Sequence, residues 1–152
     1  LMINHGLRNK DINLKFVKVV PEDKEENYIM QKGKNILLNI NDYKTEKTHG
    51  TKEIKINDSK FIKEFKSLNL KDGEYMLHMK NGDKINNIIT FNDRVLKLTI
   101  DRLGQNRLVK IVIKDLLNNK NFEKLDSISK DRGTSLEVLL KSYNLHNGND
   151  KN

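Results

Sequence analysis

One organisation recurs in this chain, and it narrows the architectures open to it. Residues 13–20 (NLKFVKVV), 28–30, 35–43 (NILLNINDY) and 51–57 (TKEIKIN) are short segments rich in branched aliphatic residues. Turn-forming residues separate them. Residues 58–68 follow, with Phe61, Ile62, Phe65 and Leu68 at helical spacing. After Lys71-Asp72-Gly73 the pattern starts again. Residues 74–80 (EYMLHMK), 85–91, 94–101 (RVLKLTID) and 108–114 (LVKIVIK) alternate, and 117–129 carries Leu117, Phe122, Leu125 and Ile128. A period of two marks a half-buried strand, and a period near 3.6 marks a helix. The chain reads as four strands and a helix, used twice.

The expected fold class is therefore α+β, with two β4α units forming curved antiparallel sheets, plus a C-terminal helix. The expected domain plan is an N-terminal arm over 1–12 and a single domain over 13–143. Within it lie a pseudo-repeat of 13–70 and 71–129 and a last helix over 135–143, and a disordered tail follows over 144–152. Local signals support the boundaries. Pro21 and the acidic run after it break the first strand. Asp58 or Ser59 can cap the first helix. Asn81-Gly82 suits a two-residue hairpin turn. Asp131-Arg132-Gly133 stops a helix, and Thr134 with Glu137 fits a capping box for the next.

Composition then bounds the partner. The 152 residues suffice for one core. Hydrophobic residues are 36% and charged residues 33%, so much of the surface must be charged. The net charge is +8, spread along the whole chain. Gathered into a patch, that charge would attract phosphate backbones. Lys, Asn and Ile are all abundant and all have AT-rich codons, which is a second source of the basicity. There is no cysteine, which excludes disulfides and thiolate metal sites and points to an intracellular, cytoplasmic home. No apolar run approaches the roughly 18 residues of a membrane span, and residues 1–10 are too polar for a signal peptide. His5, His49, His78 and His146 lack metal-ligand spacing. No phosphate-binding loop, dinucleotide fingerprint or nucleophile elbow occurs. No cofactor and no catalytic residue are expected. One pattern stands apart: Asp42, followed after a loop by Glu53-Ile54-Lys55, looks like the D…ExK signature of a metal-dependent nuclease family.

A β4α unit used twice resembles the Whirly and purine-rich-element-binding families. Used once per chain and dimerised, it resembles the positive transcriptional coactivators that bind single strands. The string KNILLNINDY, a polar loop, TKEIKIN and a helix, over 33–68, carry that resemblance. It implies binding of single-stranded DNA or RNA on a sheet face, with a homodimer as one arrangement. Lysines would follow the backbone, and aromatics or histidine would stack on bases. The candidates are Lys15, Lys18, Tyr43, Lys52, Lys55, His78, Lys80, Lys97, Lys110 and Lys114, with Tyr75 as a further stacker. Strict alternation puts Lys18 and Lys52 on the same side as Phe16 and Ile54. Tyr75 alternates with Leu77 and Met79, which favours packing over stacking. Aromatics are only 6%, so charge would drive binding.

Two other readings use the same residues. A strand at 108–114 followed by NFEKLDSISKDRG and TSLEVLLKSY is similar to a ribbon–helix–helix duplex-DNA-binding module over 108–143. There Lys110 and Lys114 would face the major groove. A compact basic domain without an active site also suits a small phage or mobile-element accessory protein that docks on a protein partner.

Overall fold

The computed structural model describes residues 1–22, 25–43, 50–85 and 105–142. In chain order its elements are α1 (Met2–His5), β1 (Leu14–Phe16), β2 (Asn27–Lys32), β3 (Asn35–Ile40), β4 (Lys52–Ile56), α2 (Ser59–Ser67), α3 (Gln105–Asn118), α4 (Phe122–Arg132) and α5 (Leu136–Ser142). The fold is α+β, with a four-stranded mixed sheet and a C-terminal helix. Two compact units emerge: Asn9–Phe91, and Leu1–Arg8 with Asn92–Asn152. They do not follow the expected division at residue 70, and the expected arm over 1–12 is divided between them. Among the described residues no helix is long and apolar enough to cross a membrane.

In the sheet unit the strand order is β1-β2-β3-β4. The β2–β3 hairpin turns through Gly33-Lys34, and Gly33 takes a φ of 61°. Glycine at the first central position suits the turn that matches strand twist. Ile36, Leu38 and Ile40 of β3 are fully buried, and Ile54 and Ile56 of β4 face the same side. Asp58 caps α2 by accepting a hydrogen bond from Phe61 N at 2.6 Å. The helix then lays Phe65 against Phe16, with ring centroids 5.8 Å apart. Each such side chain, fully buried, contributes roughly 1.5–3 kcal/mol.

The expected all-antiparallel sheet is corrected at β1, which pairs with β2 in parallel. The other edge of β1 is occupied by the chain after α2. Phe16 N donates to Glu74 O at 2.7 Å, and Met76 N donates to Leu14 O at 2.8 Å. A parallel pair requires the chain to return to the starting end of β1 between residues 16 and 27. The expected strand over 74–80 is thus reduced to isolated bridges at Tyr75 and His78. Gly82, with φ of 87°, closes the turn between His78 and Lys84. The expected strands over 85–91 and 94–101 and the tail over 144–152 fall outside the described residues, apart from Ile85.

The larger correction lies at 108–114. This segment, expected as a strand, is the middle of α3. Val109 and Ile113, one helical turn apart, are buried with Leu125, Ile128 and Leu139, and Val112, Leu116 and Leu117 pack on that cluster. Ile111, which alternation would also turn inward, is 51% exposed. A seven-residue run of alternating aliphatics fits either period, and the apolar residues continuing through Leu116 and Leu117 complete a helical stripe. The helix expected over 117–129 is broken at Lys120, whose φ is 52°. Asn121 then caps α4 by accepting from Lys124 N. Ser135 rather than Thr134 caps α5, since its Oγ accepts from Val138 N at 3.1 Å. The strand required by the ribbon–helix–helix reading is therefore absent from 108–114.

Helix α1 joins this helical unit through polar ties. Arg132, nearly fully buried, donates from Nη1 to Gly6 O at 2.6 Å, and Arg8 donates to Arg132 O at 2.9 Å. His5 Nδ1 meets Asp131 Oδ2 at 2.6 Å. Gly6 is required here: its φ is 62°, and an added Cβ would stand 2.7 Å from Ile128 Cγ2.

Candidate functional site

Strand pairing decides which side chains share a face. Paired residues point the same way, and neighbours along a strand point oppositely. Phe16, Ile29, Leu38 and Ile54 form one row, on the side that α2 covers. The opposite face carries Tyr75, Lys15, Tyr28, Asn39 and Glu53 in one row. Met30, Leu37 and Lys55 form the next row, and Lys32 and Asn35 the one after.

At the β2–β3–β4 end of this face lies a cleft of ≈ 270 Å³, lined by Lys32, Asn35, Leu37, Glu53 and Lys55. Leu37, buried, gives it an apolar floor, whereas Lys32, Glu53 and Lys55 are exposed. None of these three charges is ion-paired with another described residue. Beside Glu53 in the register stands Asn39, 8% exposed, whose side-chain amide nitrogen has no hydrogen-bond partner among the described residues.

At the other end of the same face the charges are matched. Glu26 accepts hydrogen bonds from Tyr75 Oη and from Lys15 Nζ, the latter at 2.9 Å, and Lys84 Nζ lies 3.6 Å away. Burial alone would raise the Glu26 pKa. The Tyr75 and Lys15 hydrogen bonds and the two ammonium charges outweigh it and hold the carboxyl below its usual range. The Tyr75 phenol is pushed up to about 12, by burial first and then by its hydrogen bond to the Glu26 carboxylate. Lys15 also sits 5.4 Å from the Tyr75 ring centre.

Placed on this frame, the candidate residues separate. Lys15 and Lys55 share the face opposite α2, but Lys15 is committed to Glu26. Lys52 points to the other face and lies over the Tyr43 ring at 4.4 Å. Tyr43 is no stacking platform: it is 2% exposed, and its hydroxyl donates to Gly50 O at 2.6 Å. Tyr75 is tied to Glu26 in the same way. Lys18 and Lys80 are exposed outside the strands. His78 is exposed, with Nδ1 2.8 Å from Met79 O. Lys110 and Lys114 lie exposed on α3, in the helical unit rather than on a sheet. Lys97 falls outside the described residues.

Lys32, Asn35 and Asn39 were not anticipated. The signal was present in the alternation of 28–40, which puts Lys32, Asn35 and Asn39 opposite to Ile36 and Leu38 across a tight hairpin.

The D…ExK pattern is only half assembled. Glu53 and Lys55 line the same cleft, whereas the Asp42 carboxylate pairs with Lys10 and does not line it. Among the described residues no three His, Asp or Glu side chains gather as a metal site.

The helical unit holds a mainly apolar groove of ≈ 320 Å³, lined by Ile3, Ile111, Val112, Leu116 and Ile128 together with Asn4, Asp115 and Lys124.

Compared with known proteins, the chain matches no family model, no curated protein and no solved structure.

Proposed function

We propose that this chain is a non-enzymatic nucleic-acid-binding protein that takes single strands, in preference to duplex, at the cleft on the sheet face opposite α2. The observation that carries the reading is the cleft itself: Lys32 and Lys55 line it, exposed and without an ion-pair partner among the described residues, in a chain of net charge +8. Cations left unpaired in a concave site favour a polyanion, and binding releases the counterions condensed on its backbone. A cleft of ≈ 270 Å³ suits one unpaired nucleotide rather than the edge of a duplex, whose bases are stacked inside. The order of strand, loop, strand and helix over 33–68 is also that of the single-strand-binding coactivators. The parallel β1–β2 pair departs from their antiparallel sheets. With Tyr28, Tyr43 and Tyr75 buried or hydrogen-bonded, charge supplies more of the affinity than stacking.

The test is a titration of labelled single-stranded and duplex oligonucleotides at low and moderate salt. Single strands bind more tightly, and affinity falls steeply with salt. Lys55→Ala weakens every sequence alike and lowers the slope of log K against log salt by about 1. No binding to either form at low salt overturns the proposal and leaves a protein partner as the class to examine.

A further inference from the structure

The groove of the helical unit carries the composition of a surface that fits its own copy. Two of its apolar side chains stand in water: Ile3 of α1 is 52% exposed and Ile111 of α3 is 51% exposed. Val112 and Leu116 beside them are half-buried, and Ile128 is buried. Single exposed apolar residues are ordinary on a surface, but two that share one apolar hollow point to an interface.

The charges in the groove say which partner fits. It holds one acid, Asp115, and one base, Lys124. Neither is ion-paired with another described residue, and Asp115 Oδ1 accepts only from Asn119 Nδ2, at 3.1 Å. Asp115 follows Ile111 by about one turn of α3, and Lys124 precedes Ile128 by about one turn of α4. Each helix thus brings one apolar and one charged residue to the same face. In a chain of net charge +8 this site is locally neutral. A polyanion gains little from it, because Asp115 offsets Lys124. An acidic or a basic peptide would match one of the two charges and oppose the other. A second copy matches both. A twofold axis over the groove makes the contact isologous, so that residue i meets j and j meets i. Asp115 of each copy then faces Lys124 of the other, and the protruding Ile3 and Ile111 of each enter the apolar hollow of the other. We propose that this groove is a homodimer interface. Its lining is smaller than the roughly 20–30 residues a side of a standard interface, so the dimer is weak and reversible. The proposal stands apart from the single-strand reading, because the groove and the cleft lie in different units.

Analytical ultracentrifugation without nucleic acid, over a micromolar concentration series, tests it. The mean mass rises with concentration from one chain toward two. Asp115→Lys and Lys124→Glu each set like charges against one another at both contacts across the twofold, and each weakens dimerisation by about 10-fold. Mixing the two variants restores dimerisation, because both contacts are then between opposite charges. The double variant, with the charges exchanged, dimerises as the wild type does. Ile111→Ser, at an exposed position, weakens dimerisation without touching these charges, and far-ultraviolet circular dichroism shows the helices of each variant intact. A wild type that stays monomeric throughout overturns the proposal. So does a dimer that Ile111→Ser or both single charge variants leave unchanged, or one that the mixture fails to restore.

Discussion

Asn27 holds together the end of the sheet unit away from the cleft, and its removal gives a sharp test of the fold. The residue is 4% exposed at the start of β2. Its Oδ1 accepts from the backbone N–H groups of Asn41 and Asp42, both at 2.8 Å. Its Nδ2 donates to Asp42 O at 3.1 Å and, at longer range, to Lys10 O and Asp11 O. One carboxamide thus joins the chain before β1 to the chain after β3. Asn27→Ala leaves two backbone donors unmatched, one buried and one half-buried. Each unsatisfied donor costs about 1–3 kcal/mol, so a loss of ~3 kcal/mol is expected, a large share of ordinary domain stability. Urea unfolding followed by near-ultraviolet circular dichroism reads it, because Tyr28, Tyr43 and Tyr75 lie in this unit and the chain has no tryptophan. Asn27→Asp keeps the acceptors for Asn41 and Asp42 but turns a carboxylate toward three carbonyls. It is destabilised at neutral pH and recovers in part once acid supplies a proton to donate. A loss below about 1 kcal/mol for Asn27→Ala, at unchanged m-value, would refute the claim that this side chain closes the unit.

Three further outcomes follow from the same structure. The folded-state pKa of Glu26 is depressed, so its ionisation stabilises the fold above the ordinary carboxylate range, and that contribution is lost as pH falls through the folded pKa. Glu26→Gln is therefore less stable than wild type at neutral pH, and the two denaturation midpoints converge on acidification; a gap that widens instead would contradict the cluster. The raised Tyr75 pKa contributes stability fully present below about 10 and lost as pH rises through about 12, so an alkaline ultraviolet titration shows one late phenol that Glu26→Gln brings earlier. In α3, Ile111→Lys changes stability by less than about 0.5 kcal/mol whereas Ile113→Lys unfolds the helical unit, because only Ile113 is buried. Equal damage at both positions would restore the strand.

What could be read from the chain follows how far each signal reaches. In residues 27–67 alternation, turn residues and caps agree: β3, β4 and α2 lie within the expected segments, β2 contains the expected 28–30 and runs on to Lys32, and Gly33 and Asp58 take the roles their chemistry suggests. Local signals suffice there because each strand after β2 pairs with its sequence neighbour. β1 escapes that logic. Its parallel partner and its pairing with 73–76 depend on contacts between segments far apart in sequence, and periodicity carries no information about strand direction. The same holds for Asn27, whose side chain looks in sequence like any polar strand residue.

The apparent doubling failed for a different reason. The run LVKIVIK satisfies both periods over its seven residues, and β-branched content tipped the reading toward a strand. The deciding residues lie after it, where Leu116 and Leu117 continue the stripe begun by Val109, Val112 and Ile113 without any turn signal. A strand at 108–114 would have to end and reverse at Asp115 with no glycine, proline or asparagine to do so; the first such residues are Asn118 and Asn119, and that is where the helix ends. The consequence reaches the functional reading. With 108–114 helical, Lys110 and Lys114 leave the sheet, and the cations that the sheet unit offers without ion-pair partners in the cleft are Lys32 and Lys55. The polyanion hypothesis then rests on one small cleft instead of two broad faces, so substitutions at Lys32 and Lys55 should each matter far more than any among the remaining lysines of the sheet unit.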